Sequence, residues 1–327
     1  MKTIRFILPY FTCGKGNLPE MAQVFFESCK FNQTIEWLFY TDCNLERFSL
    51  PDNIIVKEIS FAEIQRRVQN KYDFKVCLNY PYKLCDFKPA YGEIFEEELE
   101  GIDFWGFCDL DIIWGDIRKF LTDEILENND RIMTHGHCSI FRNSEAVNRG
   151  YRTLDRKGCQ NWKEVFMSSE SCAFDEWAEH LGGGYSKIQK LNNIKMFDKL
   201  IYADIQINRY FFHTTRELTK EYLFEKKKKN AIYLLDAGKL MEYYVFSKKI
   251  RSCEYLYIHL QKRKMNVEKG HFEKYLIVPP DKIIEGDGVQ INRLSLKKLT
   301  RGNVLTWNLE GQIRRYIDIF VGLLYRR

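Results

Sequence analysis

The order of apolar and polar residues lays out the first elements of the chain. Thr3 to Tyr10 (TIRFILPY) is a short apolar run rich in β-formers and predicts a buried first strand. A loop containing Gly14, Gly16 and Asn17 follows. Pro19 suits the first turn of a helix, where its missing N–H costs nothing. Met21, Val24, Phe25 and Ser28 then recur at helical spacing, so one face packs inward. Ile35 to Thr41 (IEWLFYT) predicts a second strand that ends at Asp42, and Ile54 to Ile59 a third. This strand–helix–strand rhythm argues for a doubly wound α/β sheet.

Farther on, a helix is expected from Pro89, burying Tyr91, Ile94, Phe95 and Leu99. Phe104 to Cys108 (FWGFC) reads as a buried strand that runs into Asp109-Leu110-Asp111. Ile112 to Gly115 leads away from it, and Asp116 to Ile125 has a helical pattern. His137 to Arg142 (HCSIFR) predicts another short strand. From Trp162 to Leu181 the pattern is helical, with a stop at Gly182-Gly183-Gly184. Tyr255 to Leu260 is a late strand. The expected division is one α/β domain over residues 1–285 and a basic appendage over 286–327.

Composition narrows the class. The 327 residues suffice for one large α/β domain, and 45% hydrophobic with 29% charged residues excludes a disordered or fibrous chain. With 24 Phe and 19 Tyr, the chain has material for a substantial core and for sugar-stacking surface. A net charge of +5 is compatible with anionic substrates such as diphosphates, or with an anionic membrane surface. Met1 to Arg5 leads into no long apolar region, so no secretory signal is expected, and no stretch is apolar enough to span a bilayer. The ten cysteines are scattered without a C-x-x-C pair, which fits reduced thiols in a cytoplasmic protein.

The D-x-D at Asp109 and Asp111 carries the chemistry. Two carboxylates directly follow a hydrophobic strand, where an α/β sheet opens at its carboxyl edge and binds ligands. Such hard oxygen ligands suit Mg²⁺ or Mn²⁺, which complete their shells with substrate phosphates and water. Asp86 can cap the helix expected at Pro89 or hold a hydroxyl. His135-Gly136-His137 lacks the thiolates or second pair that a zinc site needs and reads instead as a loop on the acceptor side. Lys226 to Lys229 reads as a solvated loop, and no nucleic-acid motif accompanies it. At the end of the chain, Ile313, Tyr316, Ile317, Phe320, Val321 and Leu324 share one helical face, surrounded by Arg314, Arg315, Arg326 and Arg327. Such a helix lies on an anionic membrane or packs on protein.

KLCDFKPAYGEIF, DFWGFCDLDIIWGDI and HCSIFRN together resemble bacterial capsular-polysaccharide glycosyltransferases of the GT-A type. The resemblance implies a Rossmann-like domain with a mixed central sheet, a nucleotide-sugar donor (UDP being the commonest case), a divalent metal, and a glycan or lipid-linked acceptor. It implies that Lys83, Asp86 and Lys88 reach the donor, and that Tyr10 and Asp42 lie by the base and ribose. Asp175-Glu176 resembles the acidic pair near the acceptor, one member of which takes a proton or steadies the sugar. His259 resembles the late histidine that completes the metal shell, with Lys262 and Lys264 beside the diphosphate. Two other readings use the same residues: a metal-dependent nucleotidyl or phosphosugar transferase, and a non-catalytic carbohydrate-binding protein.

Overall fold

In the computed structural model the first strand forms as expected, over Ile4–Tyr10 (β1). The described residues are 1–14, 16–207, 209–214, 228–270, 272–311 and 313. They form two units, which share the chain in alternating segments. The first takes Met1–Pro19, Asn32–Asp109 and Arg118–Lys199; the second takes Glu20–Phe31, Leu110–Ile117 and Leu200–Arg327.

The first unit is built on a seven-stranded mixed sheet. Beside β1 lie β2 (Ile35–Thr41) and then β3 (Ile54–Glu58), all parallel. On the other side of β1 runs β4 (Phe104–Cys108), also parallel. The later strands of this sheet are β6 (Arg131–His135), β7 (Cys138–Arg142) and β8 (Met196–Phe197). The spatial order is β3-β2-β1-β4-β7-β6-β8, with β7 antiparallel to both its neighbours. Sheet residues Ile7, Leu38, Phe107 and Phe141 share a core with Phe61, Ile64 and Val68 of the helix Phe61–Gln69. That helix begins at a capping box, in which Ser60 and Glu63 satisfy each other's backbone N–H.

Three expectations for this unit need correction. Tyr91, Ile94, Phe95 and Leu99 are all buried, but no single helix starts at Pro89. A 3₁₀ helix over Pro81–Ala90 passes into one α-turn at Tyr91–Ile94 and a further 3₁₀ turn at Glu96–Leu99. Pro89 lies inside the run, where it lacks the N–H and the room that a continuous α-helix requires. The helix expected over Asp116 to Ile125 is broken in two, because Thr122 caps a fresh one, Asp123–Asn128, by accepting from Ile125 N–H. The long helix expected from Trp162 ends at Met167.

The cause of that last break is a buried ion pair. Asp86 is fully buried and accepts N–H bonds from Cys172 and Phe174, both at 2.9 Å. Lys83, equally buried, donates to Asp86 at 2.7 Å and to the carbonyls of Val165 and Glu170. Backbone groups that a helix would use internally are thus bound to side chains. The glycines stop the segment as read, with Gly182 at φ 95° and Gly183 at φ 103°, and an unforeseen helix follows at Tyr185–Leu191.

In the second unit the helix Ala22–Lys30 buries Val24, Phe25 and Ser28 as its spacing predicts. Val24 packs against Ile113, Tyr233 and Leu235. A three-stranded sheet places β13 (Tyr257–His259) between β5 (Ile112–Trp114) and β9 (Ala203–Asp204). The late strand read from Tyr255 to Leu260 is therefore divided, since Tyr255 closes β12 (Lys249–Tyr255) in a different sheet. That other sheet has six strands in the order β12-β11-β10-β15-β16-β14. Its members are β10 (Lys229–Asp236), β11 (Lys239–Phe246), β14 (Asn266–Val267), β15 (Lys274–Val278) and β16 (Lys282–Glu285), together with β12. Past Glu285, the helix Arg293–Leu299 packs Leu296 against Ile232, Leu276 and Val278.

No helix among the described residues is long and apolar enough to cross a membrane. Of the apolar stripe near the end of the chain only Ile313 is described, and it is exposed; Tyr316 onward, like Lys226 and Lys227, lies outside the described residues.

Removing Asp86 strands a buried ammonium and two backbone N–H groups. Asp86→Ala is expected to cost about 3–5 kcal/mol, read from urea unfolding midpoints. A loss under about 1 kcal/mol, the worth of a surface pair, would contradict the assigned role.

Candidate active site

In the first unit, the strand order turns at β1. The chain adds β2 and β3 on one side of it and β4 on the other. Open α/β sheets bind ligands at such a switch point, beyond the carboxyl ends of the strands. Tyr10 ends β1, Asp42 follows β2, and Asp109 follows β4. Asp42 spends both oxygens on the loop after β1, accepting from Thr12 N–H and Cys13 N–H at 2.8 Å each. It shapes the floor beyond Tyr10, whose hydroxyl is pushed above its ordinary pKa by burial and then by Cys43.

Lys88 is the electrostatic hub of this unit. Its buried Nζ lies 3.0 Å from Asp109 Oδ1 and 3.4 Å from Asp175 Oδ2, and it donates to the Gly136 carbonyl at a short distance. Burial works against the ammonium, but the surrounding negative groups, Asp109 foremost, outweigh it and hold the pKa well above the ordinary lysine value. Asp175 is pushed up to about 7, chiefly by burial, with Lys88 opposing and Glu176 and Asp109 adding to the rise. One cation is shared by two carboxylates, of which Asp175 is the more buried.

Gly136 explains the His-Gly-His loop. A Cβ at that position would stand 2.6 Å from Glu176 Cγ and 2.8 Å from Asp175 Oδ2. The loop therefore runs directly against the acidic pair, and only glycine fits. Its histidine rings stack on each other, centroids 5.1 Å apart, and the His137 carbonyl accepts Asp109 N–H at 2.9 Å. Lys83 and Asp86, expected at the donor, bind each other instead. The ammonium's three donors go to Asp86 and two carbonyls, which leaves none for a phosphate.

In the second unit, the three-stranded sheet joins residues far apart in sequence. Antiparallel register sets His259 opposite Ile112, the residue after Asp111, and parallel register sets it opposite Asp204. His259 Nε2 stands 3.5 Å from Asp111 Oδ1, and Nδ1 stands 2.7 Å from Asp204 Oδ1. Asp111 Oδ2 accepts the Lys262 backbone N–H, and Leu260 N–H binds the Asp111 carbonyl at 3.0 Å. Burial opposes charge on the ring, but Asp111 and Asp204 outweigh it and push His259 up to about 9. Burial likewise opposes charge on Asp111, and His259 and the Lys262 N–H hold its carboxyl below the ordinary value. Lys262 and Lys264 are exposed, on either side of the buried Arg263.

Whether these residues fit a divalent ion turns on one atom. Asp111 Oδ1 is buried and has no hydrogen-bond partner among the described residues. The 3.5 Å to His259 Nε2 is too long for a good N–H···O bond. It does match two ligand atoms each about 2.1 Å from one ion. A carboxylate oxygen beside an imidazole nitrogen is a donor set that suits Mn²⁺. The residues fit. Sequence reading missed Asp204 and Gln261, because a lone acid in Tyr202-Ala203-Asp204-Ile205 belongs to no motif and only the sheet register shows its partner.

The raised Asp175 carboxyl fixes a sign. In the unfolded chain an aspartate titrates near about 3.9, and in the fold Asp175 titrates at about 7. Between those values the unfolded chain loses its proton first, so rising pH favours unfolding, and the effect levels off above the folded value. Asp175→Asn removes this dependence. Its stability relative to the parent should therefore rise by roughly 2–4 kcal/mol from pH 4 to pH 8, measured by urea midpoints across that range. A difference that stays flat with pH would show that Asp175 is ionised throughout.

A search of the curated proteins finds no match. Solved structures that are distantly similar include the following three. One is a glycosyltransferase involved in glycosylation of the major capsid of PBCV-1, with a TM-score of 0.33, 9% identity, and coverage of 62% of this chain and 85% of that one. The second is the galactosyltransferase LgtC in complex with donor and acceptor sugar analogues, with a TM-score of 0.36, 10% identity, and coverage of 67% and 81%. The third is mouse xyloside xylosyltransferase 1 in its apo form, with a TM-score of 0.35, 9% identity, and coverage of 63% and 87%. Likenesses this distant assign no residue a role. A family model matches residues 6–287, a span that takes in all of β1 but its first two residues, the switch point and every site residue described above, and the chain belongs to that family of unknown function, DUF6625.

Proposed function

We propose that the chain is a divalent-metal-dependent glycosyltransferase. It transfers a sugar from a nucleotide-diphosphate donor, with UDP-sugars the first candidates, to a hydroxyl of a glycan or lipid-linked acceptor in surface-polysaccharide synthesis. The observation that carries this reading is the buried Asp111 Oδ1, which has no hydrogen-bond partner among the described residues and faces His259 Nε2 at 3.5 Å. An ionised oxygen kept from water without a donor is costly unless a cation completes it.

Asp111 and His259 would hold Mn²⁺ or Mg²⁺, with the imidazole favouring Mn²⁺. Asp109 shares the D-x-D of the sequence with Asp111. When bound, the ion would neutralise charge developing on the leaving diphosphate. Lys88 keeps Asp109 and Asp175 from repelling each other. Asp175, with a pKa of about 7, is suited to take the acceptor hydroxyl's proton near neutrality, and the exposed Glu176 beside it orients the acceptor. Tyr10 offers a face to the base, while Asp42 fixes the loop next to it. Lys262 and Lys264, exposed beyond His259, would supply cations for the diphosphate. The basic, apolar stripe after Ile313 would keep such an enzyme on the inner face of an anionic membrane.

The test is a panel of nucleotide sugars assayed for hydrolysis with Mn²⁺ and with EDTA. One donor should be cleaved, dependent on metal. Asp111→Asn should lower that turnover by about two to four orders of magnitude. Turnover undiminished by EDTA, or near-parent turnover in the variant, would sink the metal reading. Release of pyrophosphate in place of a nucleoside diphosphate would identify a nucleotidyl transferase. Donor binding with no turnover would identify a carbohydrate-binding protein.

A further inference from the structure

We infer that Asp204 is a positioning residue, the carboxylate that decides which nitrogen of His259 is offered to the ion. The inference rests on the metal reading above and deepens it.

His259 is held from both sides of its strand. On one side, Leu260 N–H binds the Asp111 carbonyl; on the other, Ile205 N–H binds the His259 carbonyl at 2.9 Å. The ring lies between two carboxylates, and the contacts are unequal: 2.7 Å from Nδ1 to Asp204, a full hydrogen bond, and 3.5 Å from Nε2 to Asp111. An ionised carboxylate only accepts, so Nδ1 carries the proton in that bond. Imidazole needs one nitrogen unprotonated to bind a metal. When the ring gives up a proton, the Nδ1 proton stays with Asp204 and the lone pair forms on Nε2, the nitrogen turned toward Asp111 Oδ1. A carboxylate behind a metal-binding histidine both fixes the tautomer and makes the ring more basic.

Asp204 is itself held in place. Gln261 Nε2 donates to both its oxygens, at 3.0 and 3.1 Å, and so fixes the carboxylate plane. The buried Arg263 donates to the carbonyls of Gln206, Arg209 and Pro280, tying the segment after Asp204 to the segment after His259. Five donors in a rigid fork suit this bracing of main chain.

The experiment compares Asp204→Ala with Asp204→Asn, whose amide oxygen still accepts from Nδ1–H. Mn²⁺ affinity is measured by electron paramagnetic resonance. In parallel, the metal-free protein, with ¹⁵N-labelled histidine, is examined by NMR for a slowly exchanging, downfield ring N–H, assigned by its loss in His259→Gln. Unchanged signals from the other histidines verify folding. The inference expects Asp204→Ala to lose the ring N–H signal and to bind Mn²⁺ about 10- to 100-fold more weakly. It expects Asp204→Asn to keep the signal and bind within a few-fold of the parent. Equal Mn²⁺ affinity in parent and Asp204→Ala overturns it, as does a ring signal indifferent to Asp204. Asp204→Asn as impaired as Asp204→Ala would make Asp204 a direct ligand and also overturn it. If the parent binds no Mn²⁺, the metal reading itself falls, whether or not the ring signal follows Asp204.

Discussion

A carboxylate oxygen sealed from water must be given a positive partner, and Asp111 Oδ1 has only a distant one. Its sister oxygen takes the Lys262 N–H, and its carbonyl takes Leu260 N–H. Those two bonds hold the aspartate at the mouth of β5 with one oxygen facing the His259 ring across 3.5 Å. The local sheet also feeds the core of its unit through Ile113, Ala203 and Ile258. β9, β5 and β13 are two or three residues long, and together they bring Asp111, Asp204 and His259 into one row.

The first unit solves a related problem differently. It buries two lysines and pairs each with aspartate, but the two pairs differ in what they leave over. Lys83 is saturated by Asp86 and two carbonyls, and the pair serves to pin a loop. Lys88 is divided between Asp109, which is partly exposed, and Asp175, which is not. Division leaves Asp175 short of compensation, and its carboxyl titrates at about 7. A carboxyl tuned near neutrality beside an exposed Glu176 is consistent with the proton transfer proposed above. The same arithmetic of donors and acceptors separates a lysine saturated by one partner set from one divided between two carboxylates.

Much of this was legible in the residues. The buried strands at Ile4–Tyr10, Ile35–Thr41 and Phe104–Cys108 stand out because short apolar runs bounded by polar residues have few other homes. The carboxylates at positions 109 and 111 are visible because they end such a run. The long helix after Trp162 misled because periodicity reports only which face is apolar; it says nothing of a buried aspartate, 86 and 88 residues earlier, that claims the N–H groups of Cys172 and Phe174. The six-stranded sheet stayed hidden for a local reason. Its hairpins turn at Ala237-Gly238 and Ser247-Lys248, with φ of 46°, 80°, 48° and 64°. Only one of those four residues is a type that announces a left-handed turn. Lys83 and Lys88 look alike in sequence, and only their partners tell them apart.

The central claim is that Asp111 and His259 bind one divalent ion. Crystals grown with Mn²⁺ and UDP, measured at the manganese absorption edge, test it most directly. The account predicts one anomalous peak within bonding distance of both Asp111 Oδ1 and His259 Nε2, with diphosphate oxygens in the same shell. A peak bonded to neither residue, or no peak with the nucleotide clearly bound, would contradict it.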